Sequence, residues 1–358
     1  MTAVRIVIWL LALLAGMGGS HAQTSACAGL NPDDCARLHA AWRATESARF
    51  TLDLELEIRD TRTADLARLY MAADGVYYLP PERAGDDAAN LLDWLPDALD
   101  GIRADVDVVT PGADRSLPLD LPQDESAWHL RLVDGVGYAR GLLPAGSSGE
   151  WTGVDLSGVG PLLATIPGLD GLRAWFAGTP PPAELFYALG NTQGQPDIRL
   201  GQQKAAVYET TFDMEQILAD ASYRADAVAL LFELARLAAV PRQYSTSGLL
   251  RSAGYIADAL STTSIQVTQV VGLDDNRLHH VALSASFAPG TSRPVDRDAV
   301  RTDPDPLGLV AVLPFDFYLN AVLTLDGFDS VPAIDAPADA ILVPLPALLA
   351  PPLRGTPL

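Results

Sequence analysis

Residues 50 to 59 read FTLDLELEIR. Phe50, Leu52, Leu54, Leu56 and Ile58 alternate with Thr51, Asp53, Glu55, Glu57 and Arg59, a period of two that gives an extended strand one apolar and one charged face. Such a strand belongs to an antiparallel sheet that packs on one side and meets water on the other.

The segment just before it, residues 36 to 48 (ARLHAAWRATESA), reads as a helix capped by Asp33 or Asp34, with Leu38, Trp42 and Thr45 near one stripe. Period-two segments continue downstream at 66–72, 76–79, 102–109, 128–133, 136–142, 198–202, 205–212, 265–271, 278–287 and 315–325. Asp74-Gly75, Asp134-Gly135 and Asp274-Asp275-Asn276 read as hairpin turns, because Asp-Gly suits the positive φ of a type I′ turn. About ten or eleven antiparallel strands in sequence-adjacent pairs predict a large meander. Between the strands lie helical stretches rich in apolar residues at 90–99, 162–176, 184–189 and above all 225–239 (ADAVALLFELARLAA). In the last of these the apolar residues run almost all round, which predicts burial on more than one side. Together they suggest an apolar cup covered by helices.

At the N-terminus Arg5 precedes an apolar run from Ile6 to Met17, and Ser20-His21-Ala22 forms an approximate small-x-small site. This is the pattern of a secretory signal, and the run is too short to stay as a span. The expected organisation is a signal at 1–22, one domain with insertions at 23–343 and a proline-rich tail at 344–358. Loss of the signal removes Arg5, so the net charge of −21 becomes −22. So acidic a surface disfavours nucleic acids and anionic membranes. No transmembrane segment is expected in the mature chain. Cys27 and Cys35, the only cysteines, read as a local disulfide in an oxidising compartment. The alternative is a lipobox at residues 24–27 with Cys27 acylated; Thr24 stands where that motif takes a bulky aliphatic residue.

Signals for chemistry are sparse. The sequence shows no HExxH, no Cys/His cluster and no histidine at i, i+4 spacing, so His39, His129, His279 and His280 predict no metal site. Ser147 and Ser148 lie in a Gly-flanked loop without the strand-to-helix turn of a nucleophile elbow. Asp53, Glu55 and Glu57 belong to the wet face of a strand, and Asp303 and Asp305 lack an EF-hand frame. No phosphate-binding loop accompanies the one lysine, Lys204. No catalytic residue and no cofactor is expected.

Several segments resemble the LolA-like lipoprotein-carrier superfamily, in particular its LppX/LprG-type members. They are the Trp42 helix ending in Ser47-Ala-Arg-Phe50, the hairpin from Val133 to Arg140 followed by Trp151, Ala206 to Asp213 before a short helix, and Leu325 to Ala340. The resemblance implies an α+β fold: a large antiparallel incomplete β-barrel of about eleven strands with helices packed in the concave face. It also implies a non-catalytic, extracytoplasmic carrier that holds lipid or another amphiphile between sheet and helices. Insertions stand at 84–100, 160–190 and 289–312. The lining residues are expected on the apolar helices: Leu92, Trp94, Leu162, Leu163, Trp175, Phe176, Phe186, Leu230, Leu231, Phe232 and Leu234. The alternatives are an envelope sensor that uses the same fold to bind a protein partner, and a secreted hydrolase, which would need convergent polar groups.

Overall fold

The computed structural model describes residues 27–61, 63–79, 100–110, 113–115, 126–141, 150–156, 189–238, 246–288 and 315–343. Within them one sheet dominates. The first half supplies β1 (Ser47–Asp60), β2 (Leu66–Tyr78), β3 (Arg103–Thr110), β4 (Ala113–Arg115), β5 (Ser126–Val133), β6 (Val136–Arg140) and β7 (Thr152–Asp155). The second half supplies β8 (Asn191–Leu200), β9 (Gln203–Asp213), β10 (Ser264–Gly272), β11 (Leu278–Phe287), β12 (Phe315–Asp326) and β13 (Ile341–Val343). The helices are α1 (Pro32–Ala44), α2 (Met214–Ala219), α3 (Ala221–Ala238) and α4 (Thr246–Leu260).

The strand order is β13-β7-β6-β5-β3-β2-β1-β12-β11-β10-β9-β8, with β4 beside β2. Two antiparallel meanders are thus joined where β1 pairs with β12, from Arg49 opposite Asp326 to Asp60 opposite Phe315. β8 and β13 are the two edges, so the sheet is an open, incomplete barrel, as the α+β expectation had it. Only β13, added to β7, is parallel.

The alternation of β1 decides its two faces. Phe50, Leu52, Leu54 and Ile58 are buried, whereas Thr51, Asp53 and Arg59 are exposed. On the wet face Arg68 of β2 reaches Glu57 at 3.1 Å and Glu55 at 3.7 Å, and Arg59 reaches Glu57 at 2.9 Å. On the inner face one continuous core runs from Val106 and Val108 of β3, through β1 and β12, to Tyr208 of β9. That strands so far apart in the order share one core requires the sheet to curl, as the inherent strand twist favours.

α1 closes one end of this curl. Its cap is Asn31, whose side chain accepts from the Asp34 amide at 2.9 Å; Pro32 sits in the first turn, where it lacks no needed donor. The expected start therefore moves upstream, and Asp33 and Asp34 lie inside the first turn. The expected end moves too, since Ser47 and Ala48 already belong to β1. From α1, Leu38, Ala41 and Trp42 enter the core, and Thr45 Oγ1 accepts from the Leu278 amide at 3.2 Å.

The Asp134-Gly135 turn forms as expected, with φ of 48° and 74°, and Asn276 at φ 52° lies in the β10–β11 turn. Asp74-Gly75 is different: β2 runs unbroken through it. Gly75 sits opposite Phe50 on one side and Val106 on the other, and a Cβ there would lie 2.3 Å from the Asp105 carbonyl oxygen. The glycine serves the close approach of β3 and makes no turn. β4, β7, β13 and α4 are elements that the sequence reading does not contain. The residues after β12 leave the sheet for its outer face, where Ile334 is buried against Val133 and Tyr138 before β13 joins β7.

The close approach at Gly75 makes a direct prediction. Gly75→Ala, which adds one methyl against backbone that cannot yield, destabilises by about 1–3 kcal/mol in urea unfolding. An unchanged midpoint would show that the strands can part without cost.

Candidate functional site

Cross-strand register arranges the inner face in rows. One row contains Ala73, Leu52, Leu323, Val281, Gln269 and Tyr208, contributed by β2, β1, β12, β11, β10 and β9 in that order. All six are buried. The next row, Met71, Leu54, Ala321, Leu283, Val267 and Thr210, is buried except at Leu283. In the third, Leu69, Leu56, Leu319, Ala285, Ile265 and Phe212, every residue is only half-buried. Six strands about 4.8 Å apart make this row about 24 Å long.

Beyond the third row, Phe287 and Phe317 are half-buried and stacked, with ring centroids 6.0 Å apart, while Ile58 and Ala67 are buried. The inner face is thus sealed beneath α1, loosens at the third row, and beyond it is buried again at Ile58 and Ala67 while Phe317 and Phe287 stay half-buried. The α2–α4 insertion leaves and re-enters the sheet on the loosened side, between Asp213 of β9 and Ser264 of β10. α3 is half-buried at Leu231 and Phe232.

Polar groups sit at the sealed end. The Trp42 indole donates to Gln269 Oε1 at 2.7 Å, tying α1 to β10. Gln269 is fully buried, and its Nε2 has no partner. Tyr208, also buried, donates from its hydroxyl to Asp34 Oδ1 at 3.1 Å and accepts from Arg37 Nη1 at 3.1 Å; Arg37 and Asp34 are 2.6 Å apart. Burial pushes the Tyr208 phenol above its usual range. These contacts hold α1 down and offer no nucleophile with a base in reach.

The histidines are dispersed. His129, on the outer face, lies between Asp105 and Asp107, with Nδ1 3.1 Å from Asp107 and Nε2 against Asp105, and its ring meets Trp151 edge-on at 4.8 Å. His279 Nε2 lies 2.8 Å from Asp275. His280 stands alongside Thr324, and burial lowers its pKa below the usual imidazole value. The predicted Cys27–Cys35 disulfide is present. The absence of a Cys/His cluster is corrected: Cys35 and His39 stand one turn apart on α1, and His39 Nε2 is 3.5 Å from Cys27 Sγ.

The expected lining fares differently. Leu92, Trp94, Leu162, Leu163, Trp175, Phe176 and Phe186 lie outside the described residues, as do the side chains of Leu230 and Leu234. Leu231 and Phe232 are on α3. The half-buried row on the strands lies outside that expected lining. Its residues were visible as the apolar members of period-two segments, but the register that aligns them is a property of pairings far apart in sequence.

The tie between Trp42 and Gln269 predicts a non-additive pair. Trp42→Phe orphans the remaining amide atom and costs about 1–3 kcal/mol beyond the lost ring area. Adding Gln269→Met removes the buried polar group and recovers most of that cost; additive losses in a double-mutant cycle would refute the coupling.

No family model and no curated protein matches the chain. Among solved structures, LprF from Mycobacterium bovis aligns over 86% of this chain and 99% of its own, at 10% identity and a TM-score of 0.33. The lipoprotein LppX from Mycobacterium tuberculosis aligns over 86% and 100%, at 10% identity and a TM-score of 0.31. A DUF1329 family protein from Desulfovibrio piger aligns over 85% and 96%, at 8% identity and a TM-score of 0.22.

Proposed function

We propose that the chain is a non-catalytic, extracytoplasmic carrier that holds the acyl portion of a lipid or similar amphiphile against the inner face of the sheet. The observation that carries this reading is the half-buried row from Leu69 to Phe212, apolar throughout and about 24 Å long by strand spacing. Filled cores bury such residues; a row left half-covered beside a helical insertion suits an apolar guest that enters and leaves. The ligand's polar head stays toward the rim, away from the end sealed by α1. Binding then rests on apolar burial at roughly 25 cal/mol per Å².

In this reading residues 23–343 act as one half-barrel unit behind a cleaved signal, and the apolar helices supply the opposite wall. Leu231 and Phe232 of α3 are half-buried candidates for it. The disulfide at Cys27 supports a released form over an acylated one, since a bridged sulfur is not available to an acyl group.

Titration with cis-parinaric acid, a fluorescent long-chain fatty acid, tests the site. Saturable binding is expected, and Leu319→Gln in the half-buried row weakens it by about tenfold, the value of one partly lost leucine contact. Thr51→Gln on the wet face leaves it unchanged. Absence of saturable binding, or equal effects of the two substitutions, would overturn the reading.

A further inference from the structure

The disulfide at the head of α1 has a third donor beside it. Cys27 and Cys35 are buried, His39 is half-buried, and the three potential ligand atoms lie within 4.8 Å of one another. Cys35 and His39 are four residues apart on one helix, which places both on the same face. Cys27 arrives from the preceding turn, where the Ala28 carbonyl accepts from the Thr192 amide of β8 at 2.7 Å and the Cys27 amide is 3.1 Å from Cys35 Sγ. The position of Cys27 is therefore held by the sheet edge as well as by the covalent bond.

We propose that reduction of Cys27–Cys35 exposes a latent metal site, in which the two thiolates and His39 Nε2 bind one thiophilic closed-shell ion such as Zn2+. The geometry is close to what such an ion needs. Tetrahedral zinc with about 2.3 Å to sulfur and about 2.0 Å to nitrogen sets these donors about 3.5 Å apart. Cys27 Sγ and His39 Nε2 are already 3.5 Å apart. The Cα atoms of the two cysteines are 5.7 Å apart, so the sulfurs can separate by side-chain rotation while the backbone stays in place. Charge favours the same ion, because two thiolates, a neutral imidazole and a divalent cation sum to zero in a largely buried site. The fourth corner is left for water.

The chemistry balances with a dithiol as the reductant. Exchange passes its two electrons and two protons to the Cys27–Cys35 bond, leaving two thiols and an oxidised dithiol. Zinc then replaces the two thiol protons, which are released to solvent. The covalent clamp at the start of α1 is thereby exchanged for a coordinate one, which preserves the docking of this helix under reducing conditions.

The purified chain, oxidised or reduced with a phosphine and freed of reductant under anaerobic conditions, is titrated with Zn2+ against a chromophoric chelator, while far-ultraviolet circular dichroism follows its fold. One Zn2+ per reduced chain and none per oxidised chain is expected, with two thiols protected from alkylation. His39→Ala, a half-buried position that should not prevent folding, weakens binding by more than about tenfold, the least that even an outer-shell partner is worth. The proposal fails if oxidised and reduced chains bind alike, or if His39→Ala binds as tightly as the unsubstituted chain. It also fails if reduction collapses the fold and Zn2+ does not restore it.

Discussion

The pairing of β1 with β12 is the constraint on which the rest of the molecule depends. Without it the chain would be two separate meanders, β1 to β7 and β8 to β12, each with an apolar face too wide to leave uncovered. With it, the alternation in residues 50 to 58 continues in register into Leu325, Leu323, Ala321, Leu319 and Phe317. A single inner face results, wide enough to curl. The pairing is also the most distant in sequence of those between long strands, so its loop-closure cost is borne late and the fold is expected to form slowly.

A sheet with one very large apolar face must be covered by something. α1 covers one end, and its attachments are specific: Trp42 to Gln269, Asp34 and Arg37 to Tyr208, and Thr45 to Leu278. Those polar contacts cost desolvation but fix where the helix lies, since apolar packing alone would tolerate sliding. Two rows away from the one tied to α1 the cover thins to a row that is half-buried throughout, before Ile58 and Ala67 are buried again at the far end of β1 and β2. This thinning, combined with the helical insertion placed on the loosened side, connects the fold to the carrier reading.

Much of the architecture was legible in the sequence because period-two patterning is a local signal. β11, from Leu278 to Phe287, matches its segment residue for residue, and β1, β3, β5, β10 and β12 differ only at their ends. Gly75 misled because an Asp-Gly pair that marks a turn in isolation also fits where another backbone passes close. α4 escapes the sequence reading because Gly248 and Gly254 weaken its helical signal, although Ala253, Ala257 and Ala259 are buried. The candidate site was less legible than the fold. Apolar helices are the conspicuous feature of the sequence and carry the expected lining, whereas the half-buried row is made of strand residues aligned by long-range register. The proximity of His39 to the cysteines was concealed for a different reason: Cys35 and His39 share a helix turn, but only the path of the chain before α1 brings Cys27 to them.

The acidic surface is consistent with this division of labour: from Phe50 to Arg59, β1 turns its charged side chains outward and its apolar ones inward. The central claim is that the inner face holds an amphiphile. Native mass spectrometry of the chain purified from its native source, followed by organic extraction, tests it most directly. The account predicts a bound species whose mass is recovered in the extract as an acyl-chain-bearing amphiphile, while a chain that flies only at its own mass and yields no amphiphile would contradict it.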